Sequence, residues 1–103
     1  MTETTGSDQQ IPVVDNPDAS QFEAHVDGRT AFVSYIKHGD SIIFTHTEVP
    51  KELQGRGLAG VLARGVLERA RAEGWRVVVR CPYIKSYIER HPEYQSLLLH
   101  GGR

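Results

Sequence analysis

A chain of 103 residues, 39% hydrophobic and 24% charged, has room for one small soluble domain. It holds no apolar run long enough to span a bilayer and no signal-peptide pattern. Its lone cysteine excludes an intrachain disulfide or a CxxC site, so a reducing, cytoplasmic setting is expected. The formal charge of −1 hides an asymmetry: residues 1–28 carry six acids and no Lys or Arg, leaving all 12 basic residues over 29–103. That surplus suits a polyphosphate ligand, while its scatter argues against a nucleic-acid surface.

Residues 1–10 are Thr, Ser, Gln and acid without hydrophobic periodicity and read as a disordered tail; the domain is expected over 11–99, with 100–103 frayed. Residues 11–14 form either a short leading strand or an arm on the surface, ahead of turn chemistry at 16–20. Residues 22–26 read as a strand, and Asp27-Gly28 as a tight hairpin turn. Residues 30–37 (Thr-Ala-Phe-Val-Ser-Tyr-Ile-Lys) are strongly β in composition. After a turn at His38-Gly39-Asp40, residues 41–49 complete a three-stranded antiparallel meander. Alternation puts Ile42, Phe44, His46 and Glu48 on one face of that strand, with Ile43, Thr45, Thr47 and Val49 on the other. Pro50 ends the ladder.

The next stretch, Val49-Pro50-Lys51-Glu52-Leu53-Gln54-Gly55-Arg56-Gly57-Leu58-Ala59-Gly60, crosses on glycines from a β-branched run to an apolar helix. Its backbone N–H groups converge at the positive end of that helix, where an anion is the natural occupant. Read literally, Gly55-x-Gly57-x-x-Gly60 is the dinucleotide-binding pattern. The context is wrong for it: five residues separate Val49 from Gly55, and hairpins rather than crossovers precede the loop. The helix covers residues 58–73, with Ala59, Leu62, Ala63, Val66, Leu67 and Ala70 on a wide apolar face and Arg64, Glu68 and Arg71 opposite. Gly74 caps it. Gly60 and Gly65 each cost it up to ~1 kcal/mol, which predicts close backbone packing at both. Residues 75–81 return as a strand parallel to the third, through a right-handed crossover. Trp75, Val77, Val79 and Cys81 face one way on it. Pro82 opens a short helix that runs to Arg90, and residues 93–99 add a last turn or a short strand.

Shifted in frame, the loop reads Gln54-x-x-Gly57-x-Ala59, which resembles the acyl-CoA loop Q/R-x-x-G-x-G/A of the GNAT (GCN5-related) N-acetyltransferases. His46-Thr47-Glu48-Val49, Cys81-Pro82-Tyr83, Tyr87 and Arg90-His91-Pro92-Glu93-Tyr94 extend the resemblance over roughly residues 20–98. The match is to small single-domain GNAT-like proteins with a cysteine near the acetyl site. The resemblance implies an α/β fold (an α+β mixed sheet): the meander, the CoA loop, the main helix, a parallel strand and a short C-terminal helix. It implies acetyl-CoA as cosubstrate and an amine acceptor, small molecule or protein; a monomer is expected, and the scattered charge and lack of an apolar span predict no nucleic-acid or membrane partner. The histidines form no metal-ligand spacing, and no metal is expected. The helices that usually follow the first strand and build the acceptor site are lacking.

On that footing Val49, Gln54, Gly55, Arg56, Gly57, Leu58 and Ala59 hold the CoA pyrophosphate, with Tyr87 among the cofactor contacts. Arg56 adds a charge-assisted bond. In GNAT folds the two parallel strands splay and the pantetheine enters the gap, which puts Cys81 near the thioester as nucleophile or as pocket wall. Glu48 and His46 are candidate bases for the protonated amine. Tyr83 or Tyr87 would protonate the leaving thiolate. Each has a plainer alternative: an ordinary strand-to-helix loop, a small buried thiol, a solvated sheet face, packing tyrosines. The corresponding alternative function is a non-catalytic CoA or acyl-CoA-binding module.

Overall fold

Alternating β-branched and aromatic residues build the sheet on which everything else is hung. The computed structural model describes residues 11–99, so the tail expected over 1–10 and the frayed end at 100–103 lie outside the described residues. Strands β1 (Val14–Asn16), β2 (Gln21–Val26), β3 (Arg29–His38), β4 (Ser41–Glu48) and β5 (Arg76–Val79) lie in the order β1-β2-β3-β4-β5. The first four are antiparallel and β4–β5 is parallel. Helix α1 (Leu58–Glu73) makes the crossover between β4 and β5, and α2 (Pro82–Arg90) follows β5. This is the expected mixed α/β fold with one more antiparallel strand than the meander supplied.

The extra strand comes from the leading segment. Residues 11–13 act as an arm, with Val13 lying against α1 at Gly65, and the strand is displaced to residues 14–16. The β2–β3 hairpin turns through Asp27 (φ 53) and Gly28 (φ 78). Both are left-handed, as a two-residue turn of this twist requires. The last strand is shorter than expected: Trp75 belongs to the cap of α1 and Cys81 to the start of α2. At the C-terminus both alternatives hold in part, since a 3-10 turn over Pro92–Leu97 precedes a single parallel bridge from Leu98 to Val77.

The core forms between one face of the sheet and both helices. Phe22, Val33, Ile42 and Phe44 from the sheet, Leu62 and Val66 from α1 and Ile84 from α2 are all essentially inaccessible to water. The opposite face carries no helix among the described residues.

One expectation about β4 is corrected here. Ser34 pairs with His46, but the next residue, Tyr35, pairs with Phe44, so Thr45 is extra and β4 bulges. Side chains alternate across the pleat, so an extra residue reverses their phase. Ile42 and Phe44 face the core before the bulge. After it the core face passes to Thr47, which pairs with Val33. His46 and Glu48 do share a side, but it is the open face and not that of Ile42 and Phe44.

Candidate functional site

β4 and β5 stay paired only as far as Phe44 and Val79. There the Phe44 carbonyl accepts from both the Arg80 and Cys81 N–H groups (2.9 and 3.1 Å), and the chain leaves the sheet to start α2. The last residues of β4 run on without β5 beside them, so the parallel pair opens. Across this opening the Thr47 hydroxyl and the Cys81 thiol stand 3.1 Å apart. Cys81 is 2% exposed, part of the wall rather than of the surface.

The loop after β4 is shaped by its own contacts. The Gln54 side-chain amide donates to the Val49 carbonyl (3.0 Å), and Leu53 is buried beneath it. Gly55 (φ 86) and Gly57 (φ 75) are left-handed. A Cβ on either would meet none of the described residues within 4 Å, so backbone conformation rather than crowding demands glycine there. Gly57 is the N-cap of α1 and offers no side-chain oxygen, so no side-chain cap bond closes the first turn of the helix. The backbone donors of that turn border a cavity of about 150 Å³ whose wall includes Val49, Gln54, Ala59, Gly60 and Tyr83. A phosphate-bearing ligand fits such donors: they are uncapped, at the positive end of a helix of more than four turns.

The other site residues divide clearly. Arg56 is engaged with Asp27 of the hairpin turn (2.9 Å) on the exposed surface. Leu58 is buried, so only its backbone is available to the loop. His46 Nε2 lies 2.8 Å from Glu48 Oε1, and both side chains are more than half exposed on the open face. They therefore approach the opening from the side opposite Cys81. Tyr83 is half-buried at the cavity. Tyr87, one turn on, is largely buried and stacks on His91 (centroids 4.0 Å apart). Burial pushes its pKa up, which keeps the phenol protonated.

Thr47, Leu53 and Gly60 also border the site; Thr47 and Gly60 lie within the quoted motifs, but none of the three was assigned a role from the sequence. Thr47 reaches the core face only because of the bulge, which has no signature in the sequence. Among the described residues, no group of three or more His, Cys, Asp or Glu could hold a metal ion. No described helix is long and apolar enough to cross a membrane.

A glycine cradle at the start of a crossover helix, next to two parallel strands that part, defines a mixed-sheet domain of the GNAT type. A family profile for the GCN5-related N-acetyl-transferases matches residues 21–97, and the chain belongs to that family. Acetyl-CoA binding is general to this fold. Among curated relatives, protein NATD1 of Mus musculus is 34% identical over 80 residues, 75% of this chain and 73% of that one. NATD1 of Bos taurus is 40% identical over 52 residues, half of this chain; the match spans 46% of the bovine protein. The NMR solution structure of a GCN5-like protein from Staphylococcus aureus superposes with a TM-score of 0.65 at 25% identity. It covers 86% of this chain and 88% of that one.

Proposed function

We propose that the chain transfers an acetyl group from acetyl-CoA to an amine. The observation that carries this reading is the opening of β4 from β5 at Phe44, with Cys81 and Thr47 across it. The uncapped N–H groups at the start of α1 and the loop from Gln54 to Ala59 would hold the pyrophosphate. Arg56 reaches it by exchanging its exposed bond to Asp27, a pair worth about 0–1 kcal/mol.

In the transfer itself, Glu48, hydrogen-bonded to His46, takes a proton from the acceptor ammonium. The freed nitrogen forms a C–N bond to the thioester carbonyl carbon and the C–S bond breaks. Tyr83 passes a proton to the departing sulfur and regains one from the nitrogen. The products are the amide, the free thiol of CoA and one proton on Glu48. Cys81 lines the opening in this scheme. Carrying the acetyl group on Cys81 would exchange one thioester for another and leave the amine still to be deprotonated, so direct attack is the proposed route. A free buried thiol suits a reducing compartment, and the cytoplasm is the proposed location.

Incubation with acetyl-CoA and a panel of primary amines, followed by mass spectrometry, tests the reading. An acceptor gaining one acetyl group while free thiol appears is the expected result. Tight acetyl-CoA binding without thiol release from any acceptor would make the domain a binding module. An acetylated Cys81 that is discharged by acceptor at the turnover rate would replace direct attack with a two-step route.

A further inference from the structure

The sheet face away from the helices has two zones, fixed by strand register. Glu23, Phe32 and Glu48 are direct cross-strand neighbours on β2, β3 and β4, so Phe32 stands between two carboxylates. Glu23 is 8% exposed and accepts bonds from the Gln21 and Asn16 amides (2.7 and 2.8 Å) and from His25 (3.0 Å). The Gln21 and Asn16 bonds hold its pKa below the ordinary carboxylate value, so it is charged at neutral pH. On the other side of Phe32, Glu48 bonds His46, whose ring centroid is 6.3 Å from that of Phe32. Four residues along β3 and on the same face, Ile36 is 53% exposed, and it continues across the sheet into Ile43 and Val78.

We propose that this face docks an extended segment of another polypeptide. The ammonium of a lysine sits over Phe32 between Glu23 and Glu48, and an aliphatic side chain about four residues away lies on the strip of Ile36, Ile43 and Val78. The inference rests on the proposed transfer and names the class of its acceptor. An aromatic face within ~6 Å of a cation, with the exposed Glu48 on one side and the charge of the already bonded Glu23 on the other, matches an ammonium. A small amine would need a concave site that surrounds it, whereas this face is an open pleated surface. Its two zones are about 13 Å apart along β3 at ~3.3 Å per residue, a spacing an extended chain spans with four residues. Glu48 also adjoins Thr47, which meets Cys81 across the opening, so an amine held at Glu48 stands at the edge of the gap. Residues 1–10 carry Glu3 and Asp8 and no Lys or Arg, and so have no side chain suited to this patch.

The test is an amide chemical-shift titration of the CoA-saturated protein with the peptide Gly-Lys-Gly-Ser-Gly-Leu-Gly. Shifts should concentrate on β2, β3 and the end of β4. Affinity should fall about tenfold when the lysine is acetylated or replaced by norleucine, and as much in Phe32→Leu, which keeps bulk but removes the ring. Replacing the leucine by serine should cost several-fold. CoA affinity of Phe32→Leu, read by calorimetry, should not change. Shifts elsewhere, or a norleucine peptide binding equally well, would overturn the proposal. Spermidine binding this face as tightly as the peptide would overturn it too, in favour of a small polyamine. Binding here without acetylation of the peptide by acetyl-CoA would support the surface and sink the transfer reading. Acetylation of the peptide with unaltered KM in Phe32→Leu would do the reverse.

Discussion

The two ends of α1 are built from similar materials and finished differently. At the C-terminus Gly74 (φ 75) closes the helix onto the Ala70 and Arg71 carbonyls, and the Trp75 N–H also bonds Ala70 (2.9 Å). Lys37 and Arg69 stack on the Trp75 ring at 4.5 and 5.6 Å, and Tyr35 donates to Asp15 (2.7 Å). At the N-terminus Gly57 leaves the first turn without a side-chain cap, and β4 there loses β5 as a neighbour. The larger hollow, about 520 Å³, is at the C-terminal end, but Arg69, Lys37, Asp15 and Tyr35 along it already bond other protein groups. Backbone donors left open are completed by water or by a ligand. Unfinished hydrogen bonding, rather than volume, separates the proposed binding end from the structural end.

The comparison breaks most visibly at Glu48. Glu48→Gln is expected to lower kcat by about 10²–10⁴-fold, the usual worth of a general base, with CoA affinity intact. An unaffected kcat in a verified transfer reaction would remove Glu48 from the chemistry. Next in size is Gly57→Glu, which puts a carboxylate where the phosphates are proposed to lie. CoA affinity should fall at least about 100-fold by calorimetry, through repulsion, bulk and the strain of a side chain at positive φ together. Gly74→Ala at the other end, strained at positive φ, should lower the melting temperature and leave CoA affinity alone. Equal loss of CoA affinity at both ends would mean that the distinction between them is false.

The glycine loop was legible because its cause is local: left-handed backbone requires glycine, and Gly55 and Gly57 advertise it. The helix at 58–73 and its cap were legible for the same kind of reason, a period and a terminator. The bulge at Thr45 was not. It arises from how β3 and β4 pair, and nothing in Ser41–Glu48 alone marks which residue is extra. That one residue decides which face His46, Thr47 and Glu48 occupy, so the motif could be read without the geometry. The Arg56–Asp27 pair was not legible for a related reason. Its bond joins residues far apart in sequence, and basic side chains next to a phosphate loop suggest a nearer partner.

The structural end makes its own prediction, smaller and tied to pH. Burial and the Asp15 bond push Tyr35 up to about 12, and burial and the Glu68 bond do the same for Tyr94. A folded-state pKa above the unfolded value near 10 means that the folded chain holds the proton more tightly. The stability this provides is complete below pH 10 and is lost as pH rises towards 12. Each group accounts for roughly 3 kcal/mol at most. Urea unfolding between pH 8 and 11 should show a plateau and then a decline, and Tyr35→Phe should make the decline shallower. A decline that begins well below pH 10 would point to other groups.

The smallest effects compare two glycines inside α1 itself. A Cβ at Gly65 would stand 2.6 and 2.8 Å from atoms of Val13, so the arm must shift to admit it. Overpacking costs about 1–3 kcal/mol and the helix gains at most ~1 from losing a glycine, so Gly65→Ala should be neutral or destabilising. Val13→Ala should relieve the Gly65→Ala variant only in part, since the Cβ 2.8 Å away remains, and Val13→Gly should relieve it further, a coupling that a double-mutant cycle measures directly. Gly60 differs. Among the described residues the only close neighbour of a Cβ there is the Tyr83 hydroxyl at 3.7 Å, an ordinary contact. Gly60→Ala should therefore stabilise the fold by up to ~1 kcal/mol. It also adds a methyl group to a cavity of about 150 Å³ whose wall includes both Gly60 and Tyr83, so CoA affinity should fall several-fold. Stability and binding moving in opposite directions is the signature of a glycine kept for a ligand. If Gly60→Ala raised the melting temperature and left CoA affinity unchanged, the ligand would not pass between Gly60 and Tyr83, and Tyr83 would lose its claim to the leaving sulfur.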